Sequence, residues 1–209
     1  MNEAFIFDSI RSPRGKNKNG SLSQITPVDL LSKLMLALEK KYQLDTSLIN
    51  DVIIGCVMPV NDQGANIGKI AAQYSGWDVD IPSMQINRCC GSGLEAINLA
   101  AMKIRSGWED LIVSGGIECM SRVPIGADGG PMAFETKVAS RTNYVPQGIG
   151  ADLIATIEGF TRRDLDAYAL MSQKRASEAI KNKRFRSLVP IYDQNDLLLI
   201  AEDEHVRPN

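Results

Sequence analysis

Met84-Gln85-Ile86-Asn87-Arg88-Cys89-Cys90-Gly91-Ser92-Gly93-Leu94-Glu95-Ala96-Ile97 is the stretch from which the fold is read. A short apolar strand stops at a polar pair, turns through Cys90-Gly91-Ser92-Gly93, and continues as a helix with Leu94, Ile97, Ala101 and Ile104 expected on one face. Cys90 thus falls at a helix start. The first N–H groups of a helix lack intrahelical acceptors, and the macrodipole puts partial positive charge there. A thiolate is stabilised in that setting. Gly91 and Gly93 carry no side chains, so an acyl group can approach the sulfur with backbone N–H groups facing its carbonyl oxygen. Two readings stay open on pattern alone: an activated nucleophile, or two small core cysteines at a tight turn.

Outward from this stretch, strands and helices alternate. Residues 4–10 form a β-type run with Phe5, Ile6, Phe7 and Ile10, closed by Arg11-Ser12-Pro13. Thr26 caps a helix with Pro27 in its first position, carrying Leu30, Leu31, Leu34, Leu36 and Leu38 and ending near Tyr42. Residues 52–57 are a continuous apolar run of the kind buried in a parallel sheet. Residues 61–64 form a turn, 67–74 a helix, and 111–114 a further strand. This alternation predicts βαβ units and a largely parallel, layered α/β domain, in which ligands collect at the carboxyl ends of the strands. Cys90 and Gly115-Gly116 both lie just past such ends.

Beyond Glu118 the pattern changes. Residues 122–146 hold Gly126, Gly129, Gly130, Pro131 and Pro146 with little periodicity, a long irregular excursion of a kind that is usually functional. Helices follow over 148–159 and 162–183, the second directing Leu165, Tyr168, Ala169, Met171 and Ala176 toward a core. A hairpin is expected from 188–192 and 197–201 around Asp193-Gln194-Asn195-Asp196, then a polar, loose terminal segment over 202–209.

Composition narrows the function. The 209 residues are 44% hydrophobic and 23% charged, which suits a soluble globular protein. A formal charge of -2 argues against nucleic-acid binding, and the basic residues of 11–18 read as a solvated loop. No apolar run spans a membrane and no secretory leader is evident, so the cytoplasm is the expected compartment. Cys56, Cys89, Cys90 and Cys119 lack zinc-site spacing and the chain has one histidine, so no metal is expected. Adjacent Cys89 and Cys90 bridge only with strained geometry, so all four are read as thiols.

Four ordered stretches carry a resemblance. Asn87 through Ala96 resembles the nucleophile motif of the thiolase family, with Cys90 in register with the reactive cysteine and Cys89 where the family usually has an apolar residue. Arg11-Ser12-Pro13-Arg14-Gly15, Ser114-Gly115-Gly116-Ile117-Glu118-Cys119-Met120-Ser121 and Gln147-Gly148-Ile149-Gly150-Ala151-Asp152 resemble three further family motifs in order and spacing.

The resemblance implies an α/β fold: a layered βαβαβ domain over residues 1–117 carrying the nucleophile, with an inserted loop domain for coenzyme A over 118–209 that is expected to be incomplete. The family's C-terminal domain, with its catalytic histidine and second cysteine, is expected to be absent from this chain. The implied chemistry is acyl transfer, thiolysis of a 3-ketoacyl-CoA or the reverse condensation of acetyl-CoA, through a thioester on Cys90. No permanently bound cofactor is implied; coenzyme A and acyl-CoA are substrates.

On motif position Arg207 matches a loop-domain arginine at the adenine end and Gln147 a methionine near the acyl pocket; a solvated terminal charge and a helix cap are the competing readings. Gln147 departs from the family's usual methionine and Pro146 stands where short-chain biosynthetic members often carry histidine; with the short 122–145 excursion, the chain looks more like a bacterial degradative branch. His205, in a polar terminal segment, has no sequence reason to meet Cys90. The chain is therefore expected to be slow or inactive alone and to associate, either as a homo-oligomer or with a C-terminal thiolase half supplied in trans. A non-catalytic thiolase-fold fragment acting by protein association is the alternative, and the Gly-Gly-Ile-Glu-Cys-Met-Ser turn argues against a condensing enzyme of fatty-acid synthesis.

Overall fold

The computed structural model describes residues 2–207. Contacts divide the chain into two units, the first comprising residues up to Asp128 together with Ser187–Glu204, the second Gly129–Arg186 with the residues from His205 onward.

The first unit is built on a fully parallel sheet of β1 (Asp51–Gly55), β2 (Ser83–Ile86) and β3 (Ile112–Gly116), in the order β2-β1-β3. Every residue of β1 is buried, because helices cover both faces. Val52 and Ile54 point to one face, where they meet Leu31 and Met35 of α1 (Pro27–Tyr42) and Ile67, Ala71 and Ala72 of α2 (Ile67–Tyr74). Ile53 points to the other and packs on Ala96 and Ala100 of α3 (Ser92–Ser106). Burying each of these isoleucines contributes about 1.5–3 kcal/mol.

α1 starts as its sequence dictates: the Thr26 hydroxyl accepts the Asp29 N–H at 3.2 Å, and Pro27 stands where no intrahelical N–H is needed. Its buried stripe is Pro27, Leu30, Leu31 and Met35, an i, i+3, i+4, i+8 spacing; Leu36, grouped with the core leucines by sequence, is exposed. α3 also corrects the sequence reading. Its inward face is Ser92, Ala96 and Ala100, while Leu94 is 66% exposed and Ile97 lies outward too. Small residues face β1 because the helix start lies against the strand backbone.

Residues 4–10 are not a strand. Phe5, Ile6 and Phe7 are all exposed, the last at 85%. A strand requires a partner to take its N–H and C=O groups, and among the described residues pairing begins only at Arg11, which bridges Leu188. The Arg11 N–H donates to the Ser187 carbonyl and the Val189 N–H to the Arg11 carbonyl, each at 2.9 Å.

The returning segment forms the expected hairpin in shorter form, β4 (Ile191–Tyr192) and β5 (Leu198–Ile200), with the Asp193 carboxylate accepting the Asn195 and Leu197 N–H groups. Ile191 and Ile200 close a second small core with Ile25, Leu30 and Cys119. The segment after it is tied down, against expectation. Asp203 forms a two-pronged pair with the Arg11 guanidinium at 2.7 and 2.8 Å and accepts the Arg14 N–H, and Glu204 accepts the Lys16 and Ser21 N–H groups and the Ser21 hydroxyl. Residues 208 and 209 lie outside the described residues.

The second unit is helical: α4 (Pro131–Phe134), α5 (Thr136–Thr142), α6 (Gln147–Glu158) and α7 (Arg162–Lys181). The irregular excursion thus contains two short helices. A reciprocal cap between Thr161 and Asp164 starts α7. The core expected along α7 is not formed by these residues: Leu165, Tyr168 and Met171 are exposed, and no described residue of α6 or α7 is buried. No helix among the described residues is long and apolar enough to cross a membrane.

Candidate active site

The carboxyl ends of the three strands meet at one level, with Gly55 in register with Ile86 of β2 and Gly116 of β3. The Cys56 N–H donates to the Ile86 carbonyl at 2.9 Å and the Ile117 N–H to the Gly55 carbonyl at 3.0 Å. β2 connects to β3 past β1, with α2 on one face and α3 on the other, so this rim is where the strand order reverses. The first turn of α3 sits directly on it. A Cβ on Gly55 would lie 2.3 Å from the Ser92 carbonyl carbon and 2.6 Å from the Gly93 nitrogen, and one on Gly116 would lie 3.3 Å from the Gly93 Cα. Three backbones touch here, which only residues without side chains allow.

Cys89 and Cys90 are the two central residues of a four-residue turn closed by the Gly91 N–H on the Arg88 carbonyl at 3.1 Å. Cys89 has φ +47°, a left-handed conformation that costs a non-glycine residue on the order of 1 kcal/mol. Side chains hold it in place. Asn87 Oδ1 accepts the Cys89 N–H at 2.9 Å, and the Ser92 hydroxyl donates to the Cys89 carbonyl at 2.6 Å while accepting the Arg88 N–H at 2.9 Å. Ser92 is 3% exposed, so its hydroxyl is shielded, yet Cys90 beside it is open to solvent. Among the described residues no protein group accepts the backbone N–H of Cys90 or of Gly93. These donors, at the positive end of α3, can meet an oxyanion.

A polar network behind the turn joins the strand ends. Gln63, wholly buried in the single helical turn Asn61–Gln63, donates from Nε2 to Glu118 Oε1 at 2.6 Å and to the Met58 carbonyl at 2.9 Å, and accepts the Cys119 N–H on Oε1 at 2.5 Å. Gln85 of β2 donates to the Gln63 carbonyl. Glu118 Oε2 accepts the Val57 N–H at 2.8 Å, and the Val57 carbonyl accepts Asn87 Nδ2 at 2.9 Å. The order Glu118, Val57, Asn87, Cys89 is therefore a continuous hydrogen-bonded path from the end of β3 to the cysteine turn. Sequence reasoning missed Gln63, Ser92 and Asn87 as supports; the only signal was Asn87 and Ser92 standing two places before and three places after Cys89, where short polar side chains bond to nearby backbone.

Cys56 and Cys119 flank this network and are buried. Burial pushes both thiols up, with the Glu118 charge adding to it, and Cys119 reaches about 11. They are inert at neutral pH.

The other sequence candidates belong to the second unit. Gln147 is the exposed first residue of α6, with Pro146 in the cap position, so Gln147 itself is not the cap. The Arg207 backbone N–H donates to Gln173 Oε1 of α7 at 2.6 Å. His205 is exposed in a turn of the same unit.

Residues 4–209 match the family described as thiolase, N-terminal domain. The chain belongs to the thiolase family. It is 35% identical over 215 residues to the 3-ketoacyl-CoA thiolases of Shewanella loihica (strain ATCC BAA-1088 / PV-4) and Shewanella baltica (strain OS155 / ATCC BAA-1091), covering 100% of this chain and 55% of each relative. The 3-ketoacyl-CoA thiolase of Pseudoalteromonas translucida (strain TAC 125) is 33% identical over the same length, with 54% of it covered. The thiolase chain described here thus spans about half the length of the relatives it matches.

Proposed function

We propose that Cys90 is an acyl-accepting nucleophile and that this thiolase-family chain performs the sulfur half of thiolysis. The observation that carries the reading is an exposed cysteine in a hydrogen-bonded turn at the switch point of a parallel sheet, beside backbone N–H groups that no described residue accepts. The Cys90 thiolate attacks the keto carbon of a 3-ketoacyl-CoA, the bond between that carbon and the acetyl-CoA fragment breaks, and the fragment takes a proton. The acyl group then passes from sulfur to the thiol of a second coenzyme A, regenerating Cys90. The Cys90 N–H stabilises the oxygen on which charge develops in each step. The second unit, Gly129–Arg186 with the residues from His205 onward, serves as the loop domain for coenzyme A, with Arg207 near the adenine end and Gln147 near the acyl chain, and the protein works in the cytoplasm with no resident cofactor.

Proton transfer contributes about 10²–10⁴-fold to such reactions, and the one histidine of the chain, His205, belongs to the other unit. A second thiolase half in trans, or a further copy of the chain, supplies the base. The exposed apolar residues Ile149, Leu153, Ile154 and Ile157 of α6 favour such association and equally suit the alternative, a non-catalytic subunit. Thiolysis of acetoacetyl-CoA, assayed with the chain alone and with the C-terminal half of a relative, separates the two. Activity that appears on mixing and vanishes in Cys90→Ser supports the enzyme reading; association without turnover supports the subunit reading.

A further inference from the structure

We infer that Cys89 is a resolving thiol for Cys90: when a peroxide oxidises Cys90, Cys89 captures it as a reversible disulfide within the turn, before the sulfur is lost to irreversible oxidation. The four thiols sort by position. Cys56 and Cys119 are buried in the polar network, leaving Cys89 and Cys90 as the two that solvent reaches. These two occupy the centre of one tight turn, a single trans peptide apart, with their Cα atoms about 3.8 Å from each other. Side-chain hydrogen bonds tether the turn. It is held from both ends by Asn87 and Ser92, which keep Cys89 at positive φ even though glycine is the residue suited to that backbone. A residue placed at a conformational cost next to a nucleophile, and exposed, is available for chemistry rather than packing.

The steps balance with hydrogen peroxide as oxidant. The Cys90 thiolate takes one peroxide oxygen, the O–O bond breaks, and the remaining hydroxide leaves as water with a proton, giving Cys90 sulfenic acid. The Cys89 sulfur then attacks the Cys90 sulfur; an S–S bond forms, the S–O bond breaks, and water leaves with the Cys89 proton. Two equivalents of a small thiol reduce the bridge and restore both cysteines. A Cα separation near 3.8 Å is shorter than disulfides ordinarily span, so the bridge is strained and reduced with ease. The trapped form is thus a short-lived shelter from the sulfinic and sulfonic states, of which the sulfonic is never reversed and the sulfinic seldom. This role requires a reactive, accessible Cys90 thiol and does not depend on acyl transfer.

The test treats the whole chain with hydrogen peroxide in thiol-free buffer and maps residues 89–103, which trypsin releases as one fragment after Arg88 and Lys103. The expected result is a fragment lacking two hydrogens, unreactive to iodoacetamide and restored by dithiothreitol. In Cys89→Ser, and in Cys89→Gly, which suits the positive φ, the fragment instead gains two oxygens on Cys90 and dithiothreitol does not reverse it. Overturning results are sulfinic acid on Cys90 of the unaltered chain at the same rate as in both variants, or disulfides that join separate chains or involve Cys56 or Cys119. Acylation by acyl-CoA, measured in parallel, stands or falls separately.

Discussion

At the residue, the chain separates thiols that share a formula. Cys89 and Cys90 are open, whereas Cys56 and Cys119 lie under the sheet rim. Titration with a thiol-reactive disulfide at neutral pH should therefore show two fast thiols, the other two reacting only once denaturant unfolds the chain. Cys119 adds a pH dependence. Its folded pKa of about 11 lies above the ordinary 9.0, so above pH 9 the thiol ionises more readily in the unfolded state, which favours unfolding. Its contribution is fully present below pH 9 and is lost as pH rises from 9 through about 11, a fall absent from Cys119→Ala in denaturant titrations.

Ser92 is the other residue to change. Ser92→Ala strips a buried partner from the Arg88 N–H and the Cys89 carbonyl, and should destabilise the chain by about 1–3 kcal/mol with a larger loss of Cys90 alkylation selectivity. Cys90 was legible from its neighbours, since an apolar run, two glycines and a helix pattern place it at a helix start. Its supports were not, because Gln63 and Glu118 are 55 residues apart and meet only through the crossover between strands.

At the element, the decisive feature is how α3 begins. Gly55 at the end of β1 lets the Ser92 and Gly93 backbones rest on the strand. Gly55→Ala puts a methyl into backbone at 2.3–2.6 Å, which cannot be relieved by rotating a side chain; it should cost about 3 kcal/mol and shift the cysteine turn. Thermal denaturation and the rate of Cys90 alkylation report both effects.

Element type and order were readable for β1, β2, β3, α1 and α2, where period and caps agree. The inward face of α3 was misread because apolarity pointed to Leu94 and Ile97, while close approach to a strand selects Ser92, Ala96 and Ala100. The run at 4–10 failed for another reason. Phe5, Ile6 and Phe7 have β propensity, but propensity provides no hydrogen-bonding partner, and none pairs with them among the described residues.

At the scale of the whole molecule, the first unit is closed by chain ends nearly two hundred residues apart. Asp203 joins the Arg11 guanidinium and the Arg14 N–H, and Glu204 collects the 16–21 loop. The Arg11 guanidinium first, then the Arg14 N–H, hold the Asp203 carboxyl below its ordinary range. The depressed pKa means that this closure is present above pH 3.8 and is lost as pH falls through the lower folded value. Asp203→Asn should lower stability at neutral pH by on the order of 3 kcal/mol and flatten the acid limb of the stability profile. This closure was invisible in sequence, where 202–209 reads as a loose polar tail; the pairing of Arg11 with Leu188 and the packing of Ile191 and Ile200 on Ile25 and Leu30 bring the two segments side by side.

The thiolase reading of the whole rests on Cys90 taking an acyl group. Intact-mass measurement after incubation with acetyl-CoA, with the adduct located by fragmenting residues 89–103, tests it without requiring turnover. A single acetyl group on Cys90 is expected, absent in Cys90→Ser and discharged by free coenzyme A. An acetyl group on Cys89 or on lysines alone, or no adduct from a folded chain whose Cys90 still alkylates, would contradict it.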